Sequence, residues 1–484
     1  MIFSKIAPCS EHVGDFYLSV LSFLYMSERH ESGLEKIIAS PAELLEVGME
    51  KTAQFEKDLI TKKPFTAAKE YWSNLGPGLT TGAADDDPSG IATYSQTGAQ
   101  YGFQLIWLSL FTFPLMAIVQ EMCARIGMVS GMGLAANIRK HYSKTLLYVA
   151  TFFLVAANVF NIGADLGAMA QGAKLLWAGG SFVFLVIAFG FISLLLQIFT
   201  TYARYAKYLK YLALILLSYV VSALFVHLNW HEVLLHTVVP SITFSKNQIF
   251  LVCGILGTTI SPYLFFWQTS QEVEEEILKG ELSVKERQRS IRARDIKKMR
   301  IDVWTGMFMS NLVMFFIIAA CAATLYAYNI TNINSAADAA VALRPFAGDF
   351  AYTLFALGII GTGMLAIPVM AGSASYAVSE SMGWKFGLYR KLKNAYSFYG
   401  VIILAMIVGI GLNFIGLDPI KALIYSAVGN GIVAPIILFF IVQLSANKHV
   451  MGSHVNKKWI TFTGWFITAI MAIAGIAAIV SFFN

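Results

Sequence analysis

Between residues 74 and 483 the chain alternates apolar runs of about twenty residues with short clusters of charge, the length a helix needs to cross about 30 Å of hydrocarbon. That pattern restricts the chain to an all-α polytopic membrane protein. Roughly, the runs cover 74 to 98, 104 to 128, 145 to 170, 180 to 200, 209 to 228, 248 to 269, 302 to 328, 350 to 375, 399 to 416, 420 to 445 and 459 to 483, about eleven spans. With 57% hydrophobic and 13% charged residues, disordered, collagenous and disulfide-framework chains are excluded. The four cysteines (Cys9, Cys123, Cys253 and Cys321) are scattered without a CxxC pair and read as small apolar side chains. A net charge of +6 would suit nucleic acid, but the Lys and Arg lie beside the spans, so no nucleic-acid partner is expected and the lipid bilayer is.

The basic residues also orient the chain. Arg139, Lys140 and Lys144 follow span two, Arg204 and Lys207 span four, a run from Lys279 to Arg300 span six, Lys385 to Lys393 span eight, and Lys448 to Lys458 span ten. The intervening connections hold few, and the positive-inside rule then predicts a cytoplasmic N-terminus and an external C-terminus, at the plasma membrane. Residues 1–72 read as a cytoplasmic tail, of which 1–48 form a dispensable extension; the apolar patch from Phe16 to Tyr25 is too short to span and lacks signal-peptide features. The run from Glu272 to Arg300 reads as a solvated cytoplasmic helix, its acids first and bases last.

Span one contains GPGLTTGAADDDPSG. Asp85, Asp86 and Asp87 stand mid-span, where each ionised group costs about 2.5 to 3.5 kcal/mol, so something must offset them. Pro88 lacks an N–H and Gly90 loosens the backbone, which predicts a broken helix with free carbonyls that a cation would satisfy. Span six carries Gly254, Gly257 and Pro262 and should open in the same way near Thr258 and Ser261. Interrupted spans five apart mark an inverted-repeat transporter with a midplane, oxygen-rich cation site. The repeats are expected over 73–228 and 248–445, with 459–484 as an eleventh helix and external C-terminus. A surface turn would suit DDDPSG, but apolar and small residues flank it; an EF-hand would use Asp85, Asp87, Ser89 and Gly90, but Gln96 stands where its bidentate Glu is required.

The stretch from Leu75 to Leu134, with GPGLTTGAADDDPSG, GAQYGFQLIW and VQEMCARIGMVSGMGLA, resembles the opening of the Nramp family of proton-coupled divalent metal transporters. The likeness continues through ADLG in span three, the broken span six, DAAVALRPFAG and SAVGNGIVAP. It implies a LeuT-type fold. It also implies Asp87 as the metal carboxylate, backbone carbonyl ligands at Ala84 and Thr258, and Ser261 in place of the family's Met. The family's Asn ligand falls on Gly90, its two span-six His residues on Tyr263 and Gln268, and its span-ten Gln on Ala427, with Asn430 nearby as a substitute.

These departures share a direction. Loss of a thioether and an amide leaves a roomier, more acidic site, to which Asp85 and Asp86 contribute, and such a site suits a hard, partly hydrated ion such as Mg²⁺, as in the Nramp-related magnesium transporter branch. Proton-coupled Mn²⁺ or Fe²⁺ import is the alternative. Span three keeps Asp165, but Asn158 and Ala168 stand where the family's acids would be, and none of the eight histidines lies in a broken span, so weak or absent proton coupling is expected. Gln120, Glu121 and Arg125 are candidates for an intracellular gate, though Glu121 and Arg125, one turn apart, equally suit a local salt bridge. His227, His231 and His236 with Trp230 read as interfacial residues. A sodium-coupled amino-acid transporter of the same fold is the alternative of another class, disfavoured because three acids would repel a substrate carboxylate. No nucleophile beside a base, HExxH or phosphate loop is present, so no enzyme and no cofactor is expected. The chain is expected to act as a monomer, and an ion channel differs from it in rate rather than composition. Asn329-Ile330-Thr331 is a formal glycosylation site.

Overall fold

The computed structural model describes residues 76–200, 217–225, 228–243 and 245–483. The expectations for the N-terminal tail, Cys9, His227 and the first part of span five lie outside the described residues. Within them the chain is helical throughout. Eight helical segments are long and apolar enough to cross a membrane. Together with the broken first span, the shorter Tyr396–Leu412 and the partly described Leu217–Phe225, they match the expected crossings.

Span one is two helices, α1 (Pro77–Asp85) and α2 (Pro88–Tyr101), separated at Asp86 and Asp87. Then come α3 (Trp107–Ser130), α4 (Leu134–His141), α5 (Lys144–Leu176), α6 (Phe182–Phe199), α7 (Leu217–Phe225) and α8 (Trp230–Val238). Span six is likewise split, into α9 (Lys246–Thr259) and α10 (Pro262–Leu278). The remaining helices of seven or more residues are α11 (Val284–Ser290), α12 (Ala293–Cys321, continued by a π-turn to Tyr326), α13 (Ala351–Met382), α14 (Tyr396–Leu412), α15 (Pro419–Ala446) and α16 (Lys458–Phe483). The two halves of span six are the most enclosed of the long segments, whereas α6 and α16 are the most exposed and form an apolar periphery.

Both half-helices that enter from the chain's N-terminal side of a break are docked through glycine. A Cβ on Gly82 of α1 would sit 2.2 Å from the Gly306 carbonyl oxygen of α12, and one on Gly257 of α9 would sit 2.1 Å from the Ala427 carbonyl of α15. Only glycine permits backbones this close. At its N-terminus α1 has no side-chain cap of its own; the Asp302 carboxylate of α12 accepts from the N–H groups of Gly76 (2.8 Å), Gly78 (2.7 Å) and Leu79 (3.1 Å). A carboxylate there satisfies orphan donors and complements the helix dipole.

The run from 272 to 300 departs from the solvated helix expected of it. α10 ends at Leu278, Gly280 turns the chain with φ 98°, and two further helices start before Arg300. Glu272, Glu274 and Glu276 are buried rather than wet. Glu274 accepts from the Tyr376 hydroxyl (2.6 Å) and the Leu388 and Tyr389 N–H groups (2.7 and 2.9 Å), so donors of the protein replace water.

Candidate cation site at the two helix breaks

Pro88 and Pro262 each follow a carbonyl by four residues, at Ala84 and Thr258. In an unbroken helix those carbonyls would accept from the residue four ahead, and proline has no N–H to give. Both are therefore freed by the same device. In each case a hydroxyl from span six meets the freed oxygen: Tyr263 Oη lies 3.0 Å from Ala84 O, and Ser261 Oγ lies 2.5 Å from Thr258 O.

Asp87 is the N-cap of α2, with Pro88 in the first helical position. Its Oδ1 accepts from Ser89 Oγ (2.6 Å) and Gly90 N–H (2.7 Å). Its Oδ2 accepts from Asn161 Nδ2 of α5 (3.0 Å) and faces the Tyr263 hydroxyl at 3.3 Å. The phenol thus has one proton to share between the Ala84 carbonyl and the Asp87 carboxylate. On the opposite wall Thr258 Oγ1 donates to the Tyr94 hydroxyl at 3.1 Å.

The other two aspartates point elsewhere. Ser310 Oγ of α12 lies 2.7 Å from Asp85 Oδ2 and 3.2 Å from Asp86 Oδ1, one hydroxyl proton for two carboxylates, and Asp85 Oδ1 has no hydrogen-bond partner. All three aspartates are buried, and among the described residues no Lys, Arg or His forms an ion pair with any of them. No three carboxylate, imidazole or thiol groups converge into a ready metal cage among the described residues. What the breaks offer is one carboxylate and two freed carbonyls, each carbonyl met by a hydroxyl, with two more unpaired carboxylates next to them in the chain. Oxygen donors suit hard cations better than soft ones.

A family model described as natural resistance-associated macrophage protein-like matches residues 78–481. The chain belongs to the Nramp family. A divalent metal cation transporter MntH from Klebsiella pneumoniae (strain 342) is 26% identical over 412 residues, covering 84% of this chain and 93% of the relative. Among solved structures, the Eremococcus coleocola manganese transporter in complex with an aromatic bis-isothiourea substituted compound has a TM-score of 0.63 at 18% identity, covering 84% of this chain and 86% of that one. Mhp1, a nucleobase-cation-symport-1 family transporter in a closed conformation, has a TM-score of 0.52 at 13% identity, over 84% of this chain and 91% of that one. The Nramp chain shares with them the LeuT-type arrangement, in which the broken spans one and six lie at the centre.

The remaining residues singled out in the sequence are distributed around this centre. Asp165 of α5 is fully buried, one turn beyond Asn161, and the Ser89 backbone N–H faces it without closing a well-formed hydrogen bond. Asn158 donates to the Met370 carbonyl at 3.0 Å, and Asn430 of α15 is buried with neither amide atom hydrogen-bonded. Gln268 is not beside Asp87: its Oε1 accepts from Thr81 Oγ1 (2.5 Å) and its Nε2 donates to Glu272 (2.8 Å), tying α1 to α10 nearer the basic end of the bundle. Glu121 and Arg125 form the local pair at 3.8 Å, and Glu121 also takes Arg300 (2.8 Å) and Trp304 Nε1 (2.9 Å) from α12. His231 and His236 lie on α8, remote in sequence from both breaks. Asn161, Ser310 and Tyr94 were not foreseen; of these only Asn161 had a signal, its spacing of four from Asp165, which puts both on one helix face.

Proposed function

We propose that this Nramp chain is a secondary transporter that carries divalent metal cations inward across its membrane by alternating access around Asp87. The observation that carries this reading is the group of three buried aspartates with no cationic side chain paired to them, next to two carbonyls that proline has freed. Left alone, such charges are costly at mid-membrane; a cation in transit offsets them. The names of the relatives, a divalent metal cation transporter and a manganese transporter, support the substrate class.

Within that class we place Mg²⁺ first. Ala84 O, Asp87, Thr258 O and Ser261 offer oxygen alone, and Mg²⁺ is commonly held by one or two carboxylates while it keeps several waters. Asp85 and Asp86 act from behind, holding the site negative. Transport is driven by the ion gradient and the membrane potential with little or no proton movement, because Asp165 is the sole carboxylate of α5 and no histidine lies in either broken span. The second reading is proton-coupled Mn²⁺ or Fe²⁺ import with Asp165 as the proton carrier, favoured by the name of the E. coleocola protein. Repeats over 73–228 and 248–445, a cytoplasmic N-terminus and a monomer in the plasma membrane complete the proposal.

Calorimetry on the purified full chain tests the site. Mg²⁺ should bind with an affinity similar to or better than that for Mn²⁺, and Asp87→Ala should abolish binding of both. Mn²⁺ binding that survives Asp87→Ala would sink the assignment.

A further inference from the structure

At the basic end of the bundle, α3, α12 and the start of α16 enclose a pocket of about 230 Å³ whose lining includes none of the residues at the two helix breaks. Three cations line it: Arg125 from α3, Arg300 from α12 and Lys457 just before α16. Its one carboxylate, Glu121, is already engaged by Arg300 at 2.8 Å and by Trp304 Nε1 at 2.9 Å. Arg125 is 5% exposed, one of its terminal nitrogens donates to Asn456, and its Nε has no hydrogen-bond partner. The pocket therefore keeps an excess of positive charge. Trp459, 57% exposed, stands at its rim on α16, one of the two most exposed of the long segments.

We infer that this pocket binds the phosphodiester of an anionic phospholipid in the leaflet at the basic end. A phosphate oxygen accepts from Lys457, and the negative charge of the phosphate balances the positive excess that Glu121 leaves. Basic pockets between transmembrane helices at this depth are where such head groups bind. Tryptophan at the rim matches the boundary between head group and acyl chain, a placement for which a free phosphate ion has no use. A lipid held there would add a polar bridge between α3, α12 and the start of α16.

The test uses the full chain, purified in detergent and stripped of lipid, with the melting temperature followed at constant ionic strength. Phosphatidylglycerol should raise the melting temperature saturably, whereas phosphatidylcholine and inorganic phosphate at the same concentrations should not. Lys457→Ala should shift the phosphatidylglycerol midpoint about fivefold higher, the effect of one lysine near an anionic head group, while Lys458→Ala, next along the chain but outside the pocket, should leave it in place. Trp459→Ala, a change at an exposed side chain, provides an independent variant and should lower phosphatidylglycerol retention measured by native mass spectrometry. Equal midpoints for Lys457→Ala and wild type, or equal retention by Trp459→Ala, would overturn the site. Stabilisation by inorganic phosphate alone would overturn the lipid and leave a free anion.

Discussion

Tyr263→Phe removes one hydroxyl from the centre of the site. That hydroxyl lies 3.0 Å from the Ala84 carbonyl and 3.3 Å from Asp87 Oδ2, so it stands against two oxygens that a bound cation would take. A hydrogen bond to an ionised group contributes about 1.5 to 3 kcal/mol and one to a neutral carbonyl about 0.5 to 1.5. Here a single proton is divided between two acceptors and the carboxylate contact is long, which brings the competition to about 1.4 kcal/mol, a tenfold change in affinity. Since the phenol must turn away before the ion can contact both oxygens, its removal should tighten Mg²⁺ binding about tenfold. Calorimetry on wild type and variant measures this, and an unchanged melting temperature confirms that the ring still packs. Weaker binding in Tyr263→Phe would refute the reasoning, because it would mean that the phenol supports the bound ion instead of competing with it.

Two further substitutions address the other half of the site. Ser261→Met puts a thioether where a hydroxyl now covers Thr258 O at 2.5 Å, and should raise Cd²⁺ or Mn²⁺ affinity relative to Mg²⁺; no shift in a competition assay would remove the softness argument. Pro262→Ala restores a backbone N–H four residues after Thr258, so that helix closure competes with the ion for that carbonyl; Mg²⁺ affinity should fall about fivefold, on the scale of one hydrogen bond of about 1 kcal/mol, and an unchanged affinity would exclude Thr258 O as a ligand.

The parts of this architecture that were legible in the sequence are those governed by local chemistry. Apolar runs marked where the helices lie, closely for Pro419–Ala446 against an expected 420 to 445, but helices that continue into polar sequence overran them, as Ala293–Cys321 does against an expected start at 302. Proline marked the breaks, because a missing N–H acts wherever the chain goes. The carbonyls of Ala84 and Thr258 came from the family resemblance, and the role of Asp87 as the N-cap of α2 emerged only from the structure. What the sequence could not convey was the partner of each polar group. Glu272, Glu274 and Glu276 carry charge that suggests water, and only the arrival of Tyr376 and the Leu388 and Tyr389 N–H groups explains why Glu274 is buried. Gln268 was expected near the cation and instead joins Thr81 to Glu272. Ser310, more than two hundred residues from Asp85, was invisible for the same reason.

The most direct measurement is ion uptake into proteoliposomes holding a Mg²⁺- or Mn²⁺-sensitive dye, with internal pH recorded in parallel and Asp87→Ala as the control. Mg²⁺ entry without acidification, lost in Asp87→Ala, is the predicted result. Mn²⁺ entry with acidification and no Mg²⁺ flux would contradict the hard, hydrated site and assign proton movement to Asp165.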